Sequence, residues 1–322
     1  MHRRLFLSAA TAGILSVPRS MVHDAGADGV GSTAAGINLP VRFSLNTSTI
    51  RGQNLSIPEQ VAVTAEAGYD GIEPWIRDVQ KYVEGGGDPA DLRKRIADAG
   101  LTVESAIGFA QWIVDDDSAR QAGLDEARRD MELVKSIGGT RIAAPPIGAH
   151  RPKPGDPPPP SLPVIAQRYR ALLELGAEIG VTPMLELWGF SPVLGTLGEL
   201  AYVSAGAMHP DACVLPDFYH IYKGGNDFAG LGMIEASRMP VFHINDYPAT
   251  PALSEIGDKD RVFPGDGVCP LPRIIRGLID HGFAGTFSLE LFNPHYYQRD
   301  ALAVATEGLQ KSRAVVRAAM QL

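Results

Sequence analysis

From Val41 onward the chain repeats one pattern: a short apolar run, a polar loop, an amphipathic stretch, a glycine, and the next apolar run. The runs predict strands at 41–46, 71–75, 102–107, 140–145, 182–187, 212–217, 240–245 and 285–291. The stretches between them predict helices near 58–68, 89–99, 117–137, 163–180, 196–206, 227–237, 271–281 and 298–320. The returns resemble one another, as in Ala67-Gly68-Tyr69-Asp70-Gly71-Ile72-Glu73 and Ile179-Gly180-Val181-Thr182-Pro183-Met184. Glycine fits there because a helix commonly ends on a left-handed residue, where a Cβ is costly. Strands alternating with helices imply a parallel sheet, and eight such units imply a single-domain α/β protein, a (β/α)8 TIM barrel spanning 41–322. An open doubly wound sheet would place a Gly-rich phosphate loop after the first strand. Ser44-Leu45-Asn46-Thr47-Ser48-Thr49 is not one.

In a barrel, the loops after the strands carry function. The strand ends supply Glu73, then Glu186 in Met184-Leu185-Glu186-Leu187, Asp217 after Val214-Leu215-Pro216, His243 in Val241-Phe242-His243-Ile244, and Glu290 in Ser288-Leu289-Glu290. A buried carboxylate is expensive unless a cation or hydrogen bonds compensate it. One such acid is commonly structural. Four consecutive strands each ending in a metal-type ligand predict one divalent metal ion held by Glu186, Asp217, His243 and Glu290. The oxygen-rich set favours Mn2+, with Mg2+ and Co2+ as alternatives and Zn2+ still open. Trp75, Trp112, Trp188 and Phe190 fall near loop ends and offer an apolar wall for a sugar ring, or ordinary packing. The proline-rich insert from Gly148 to Pro163 follows strand four and is a candidate rim or lid, or a stiff loop without a role.

Other features narrow the picture. The net charge of -8 argues against a nucleic acid partner. The two cysteines, Cys213 and Cys269, exclude a disulfide-built fold and leave open a pair or two idle thiols. Residues 1–27 differ in kind: Arg3-Arg4-Leu5-Phe6-Leu7 precedes a weakly apolar run from Ser8 to Val17. That pattern predicts a twin-arginine export signal and a periplasmic or extracellular location. The run is too short for a membrane anchor, which needs about 20 apolar residues. Residues 28–40 read as a linker.

The ordered set Leu185-Glu186-Leu187, Asp217-Phe218-Tyr219-His220, His243-Ile244-Asn245-Asp246, Arg261 with Pro264-Gly265-Asp266-Gly267, and Ser288-Leu289-Glu290 resembles the xylose isomerase-like barrel superfamily, in spacing the inosose isomerases. The resemblance implies that Glu186 and Glu290 are both ligands and the acid–base pair, and that His220 and Arg261 bind substrate oxygens. Ketohexose 3-epimerases of this group carry a further Glu six residues after the first liganding Glu; Pro192 stands there, which argues against that assignment. Glu73 is expected to bind substrate or to cap a helix.

A divalent metal on a carbonyl and its neighbouring hydroxyl acidifies the carbon-bound proton between them and stabilises the enediolate. Return of the proton to the adjacent carbon is isomerisation, return to the other face is epimerisation, and loss of a β-substituent is elimination. The expected activity is a metal-dependent isomerase or epimerase on a sugar or keto-polyol. A lyase on 3-keto-glycosides or inososes is the alternative, and a non-catalytic sugar-binding barrel a third reading. The expected partner is a small sugar or keto-sugar. A homo-oligomer remains open, and a barrel endonuclease would need more histidines and a basic face.

Overall fold

The computed structural model describes residues 39–155 and 157–322. The predicted export signal, and the linker up to residue 38, lie outside the described residues. The eight strands are β1 (Arg42–Asn46), β2 (Gly71–Glu73), β3 (Thr102–Val103), β4 (Arg141–Ala144), β5 (Thr182–Glu186), β6 (Val214–Leu215), β7 (Val241–Ile244) and β8 (Thr286–Leu289). All ladders are parallel. They join β3-β2-β1-β8-β7 on one side and β4-β5-β6 on the other. Single bridges complete the ring: Trp75 to Ile107, Ile107 to Ala143, and Asp217 to His243. The predicted (β/α)8 barrel is therefore the observed fold.

The outer layer contains α1 (Ile57–Ala67), α2 (Ile76–Glu84), α3 (Pro89–Asp98), α4 (Asp117–Ser136), α5 (Leu162–Ile179), α6 (Leu197–Gly206), α7 (Phe218–Lys223), α8 (Leu271–Asp280), α9 (Pro294–Tyr297) and α10 (Ala301–Ala319). Helices α1 and α5 end on Gly68 and Gly180, each at φ +87°, the left-handed geometry the repeated return motif predicted. Tyr169 shows how a helix is locked to the barrel. Its buried hydroxyl lies 2.9 Å from the carbonyl of Pro183 and 2.8 Å from that of Cys213, which ties α5 to β5 and to the start of β6.

The predicted helix at 227–237 is corrected. Its place is taken by two short 3-10 turns, Phe228–Met233 and Ala236–Arg238. Gly230 and Gly232 account for this, since each costs about 1 kcal/mol in a helix relative to Ala. Cys213 and Cys269 are buried and unpaired, so the open question of a disulfide is answered in the negative.

Alternation along the strands decides what faces inward. Phe242, Phe283 and Phe287 pack outside the barrel wall with Phe218, while the side chains between them in sequence meet across the interior. The interior is unusually polar. At its lower end Glu104 binds Arg42 at 3.1 Å and Thr286 at 3.0 Å. At its upper, C-terminal end stand Asn46, Glu73, Glu186, Asp217, His243 and Glu290, all buried.

A further buried acid lies outside the barrel interior. Asp130, on α4, accepts from Gln80 Nε2 at 2.6 Å, and burial, aided by Glu126, raises its carboxyl from the ordinary 3.8 to about 6. The folded state thus holds this proton over a range where the unfolded chain has lost it. Stability is expected to fall as pH rises from about 4 to about 6 and then level off. Asp130→Asn should remove that slope in urea unfolding curves taken across the interval.

Candidate metal centre and its mouth

Each of the four predicted ligands arrives from its own strand end. His243 is the centre of the cluster. Its Nε2 lies 3.0 Å from Glu73 Oε2 and donates to it, which turns Nδ1 toward the cluster. Nδ1 has no hydrogen-bond partner, and it faces three carboxylates: Glu290 Oε2 at 3.3 Å, Asp217 Oδ2 at 3.7 Å and Glu186 Oε1 at 4.0 Å. Asp217, His243 and Glu290 each offer one ligand atom within 4.8 Å of the others. Glu186 stands slightly apart from that trio, with its Oε2 buried and unpartnered.

Glu73 does not reach the mouth. Its Oε2 accepts from Asn46 at 2.9 Å, Ser288 at 2.7 Å and His243 at 3.0 Å, which places it behind the imidazole as the group that sets its tautomer. The expectation that Glu73 binds substrate or caps a helix is corrected on that geometry. Asp217 does two jobs. Its Oδ1 accepts from the His220 amide at 2.8 Å and so starts α7, while Oδ2 faces the cluster and accepts from Asn245 at 2.9 Å.

Arg261 is buried against the same oxygens. Its Nη1 donates to Asp217 Oδ2 at 3.0 Å and to Glu290 Oε2 at 2.9 Å, and Nη2 donates to Asp258 at 2.6 Å. Tyr219 and Phe292 flank the guanidinium at 4.5 and 5.1 Å. Nη2 also donates to His220 Nε2 at 2.9 Å, so the neutral His220 ring carries its proton on Nδ1. Burial, followed by the Arg261 charge, lowers the His220 value and keeps that ring neutral. Its Nδ1–H has no protein partner.

The electrostatics split the two glutamates. Burial, opposed by His243 and reinforced by Glu290, raises Glu186 to about 8. For Glu290 burial is outweighed by His243 and Arg261, and the value falls to about 2. Burial works against a charge on His243 too, but the Glu290 and Glu73 carboxylates overcome it and hold the imidazole well above its ordinary range. Four buried carboxylates against one guanidinium and one imidazole leave an excess of negative charge. That excess, and the orphaned His243 Nδ1 and Glu186 Oε2, fit a bound divalent cation.

Above the cluster opens a cavity of about 200 Å3, lined by Glu186, Glu290, His220 and Arg261 and walled by Trp75, Phe109, Trp188, Phe190 and Phe292. Trp112 is not part of it. It is fully buried beside Tyr169, and its indole N–H donates to the Pro145 carbonyl at 2.9 Å, so its proposed substrate contact is corrected to core packing. Pro192, where the epimerase-type acid would stand, is exposed. Six lining residues went unpredicted: Ile107, Phe109, Asp258 and Phe292, together with His150, whose ring meets Trp188 at 5.2 Å, and Arg151, whose guanidinium lies 4.9 Å from the Phe190 ring centroid. His150 and Arg151 belong to the insert after β4, whose position at the rim was the available signal.

The chain belongs to the xylose isomerase-like TIM barrel family, whose model matches residues 61–315. Among characterised relatives, it is 25% identical to an inosose isomerase of Bacillus velezensis over 267 residues, covering 82% of this chain and 93% of that one. It is 23% identical to a 3-dehydroshikimate dehydratase of Pseudomonas putida over 274 residues. That match takes in 83% of this chain and spans 40% of the dehydratase's length. A crystal structure of the IOLI protein with a binding zinc atom superposes with a TM-score of 0.77 at 20% identity, over 86% of this chain and 98% of that one.

Proposed function

We propose that this chain is a divalent-metal-dependent isomerase or epimerase that removes a proton beside the carbonyl of a small sugar or keto-polyol. The observation that carries the proposal is the pair Glu186 and Glu290 facing one cavity, with proton affinities pushed in opposite directions and Glu290 itself part of the three-residue ligand cluster. A divalent cation held by Asp217, His243, Glu290 and Glu186 would polarise the carbonyl and its neighbouring hydroxyl. Glu186, the carboxylate less engaged by protein donors, takes the proton. Glu290, fixed by Asn46 at 3.2 Å and Arg261 at 2.9 Å, stays ionised and orients the opposite side. The free Nδ1–H of His220 supplies a donor to a substrate oxygen. The wall of Trp188, Phe190 and Trp75 offers flat apolar surface to a sugar ring and excludes water.

The inosose isomerase relative supports this reading. The dehydratase relative supports a second outcome of the same first step, loss of a β-substituent as in a lyase. Mn2+ is the ion we propose on ligand chemistry, and the twin-arginine pattern supports a periplasmic or extracellular site of action. The test is a panel of keto-sugars and inososes in deuterated water, followed by NMR, with metal content measured on the same protein. Solvent deuterium at the α carbon is expected, and product identity separates isomerase, epimerase and lyase. Purified protein that takes up no divalent ion and exchanges no proton on any member of the panel would end the proposal.

Glu73 gives a further prediction. Glu73→Gln keeps the shape and weakens the hold on the His243 tautomer. Metal affinity is expected to drop about 10–100-fold, read by competition with a chelating dye. An unchanged affinity would show that Glu73 does not orient His243 for metal binding.

A further inference from the structure

The mouth of the barrel carries an unneutralised set of arginines. Arg51 follows β1, Arg77 opens α2 after β2, and Arg151 follows β4, so all three sit on the catalytic face. Each guanidinium stacks on an aromatic ring of the cavity wall. Arg51 and Arg77 lie 4.7 and 4.9 Å from the Trp75 ring, Arg77 lies 4.2 Å from Phe109, and Arg151 lies 4.9 Å from Phe190. Among the described residues none of the three is in an ion pair. Two rim acids of the same face are committed elsewhere: Asp258 binds Arg261 at 2.6 Å, and Asp115 binds Arg168 at 2.8 Å. His150 senses the same field. Its value is lowered by burial and then by Arg151, and no carboxylate acts against them.

In a chain of net charge -8, three guanidinium groups without an ion pair among the described residues gather positive charge at the mouth above the acidic cluster, Arg151 in the lining of the cavity and Arg51 and Arg77 on the rings of its wall. Stacking fixes the plane of each guanidinium and leaves its N–H fork free at the edge. That fork matches a two-oxygen anion. We propose that the substrate carries a carboxylate on its ring, held at the mouth by this arginine rim while the reacting carbons lie below at Glu186 and Glu290. The substrate class is then a keto-acid sugar or carboxylated keto-polyol. The proposal rests on the sugar-enzyme reading above and specifies its substrate. A phosphate ester offers the same kind of anion, but the loop after β1 has no Gly-rich backbone cradle for one.

The test is calorimetric binding to the full-length protein, independent of turnover. D-glucuronate is compared with D-glucuronamide, its neutral isostere, and D-glucose 6-phosphate with D-glucose. Glucuronate is expected to bind about tenfold tighter than the amide at low ionic strength. The preference should shrink at high salt and vanish in the Arg51→Gln/Arg77→Gln/Arg151→Gln protein, whose amide affinity stays at the wild-type value. Equal affinities, no measurable binding of either, or a preference that survives the triple substitution overturns the proposal. A larger gain for the phosphate pair moves the anion to a phosphate ester and overturns the carboxylate. Failure of deuterium exchange with a retained glucuronate preference strikes the catalytic reading alone. Exchange on neutral keto-sugars without a charge preference strikes this inference alone.

Discussion

Glu186→Gln is expected to lower deuterium incorporation at the substrate α carbon by about a thousandfold while leaving metal uptake largely intact. The size follows from general-base catalysis, which contributes about 10²–10⁴-fold. The selectivity follows from geometry. The tight trio of Asp217, His243 and Glu290 does not include Glu186, whose Oε1 stands 4.0 Å from His243 Nδ1 and whose Oε2 has no protein partner. A glutamine keeps an oxygen available to the ion but cannot accept the proton. Glu290→Gln should behave differently. It takes the charge from one of the two acceptors of Arg261 Nη1 and from a member of the trio, so metal affinity and exchange should fall together. If Glu186→Gln retains exchange within about tenfold of wild type, Glu186 is not the base.

The contrast between these two glutamates was not legible in sequence, where both appeared as acids at strand ends. Their positions were, because period-two alternation and the rule that strands end at the active site are local properties of the chain. Their different environments come from groups far away in sequence. Asn46 and Arg261 reach Glu290 from β1 and from the loop after β7, and neither bonds to Glu186. Glu73 is a similar case. It looked like one more strand-end acid, and only closure of the barrel, which carries its side chain across the interior to Ser288 and His243, puts it behind His243 instead of in the cavity.

Loop residues were the least readable. Trp112 and Trp188 both follow strands, yet one turns inward to the Pro145 carbonyl and the other lines the mouth. No periodicity distinguishes them, because irregular backbone imposes no fixed side-chain direction. Helix α7 was missed for a related reason: Phe218-Tyr219-His220-Ile221-Tyr222 favours a strand by composition, and the Asp217 cap overrides it. The glycines that end α1 and α5 were readable, since a left-handed residue has a strong chemical preference of its own.

His243→Ala is expected to remove the metal response of the protein altogether. In the wild type, a divalent ion present at about a thousandfold over its Kd should stabilise the fold by about 4 kcal/mol, because it binds the native state and not the unfolded chain. The variant loses the one nitrogen ligand of the trio and one of the three donors to Glu73 Oε2. Glu73, Asp217 and Glu290 are then left with Arg261 alone to offset three buried charges, and a broken buried pair typically costs about 3–5 kcal/mol. Thermal unfolding of the metal-free variant should therefore begin lower than wild type, and added Mn2+ should no longer raise it. Exogenous imidazole offers a control that separates lost ligation from general damage, since it can enter the vacated volume and restore a nitrogen beside Glu73. Recovery of the Mn2+-induced shift with imidazole assigns the loss to ligation. A full shift in His243→Ala without imidazole would mean that the ion binds elsewhere, and the four-strand site would have to be abandoned.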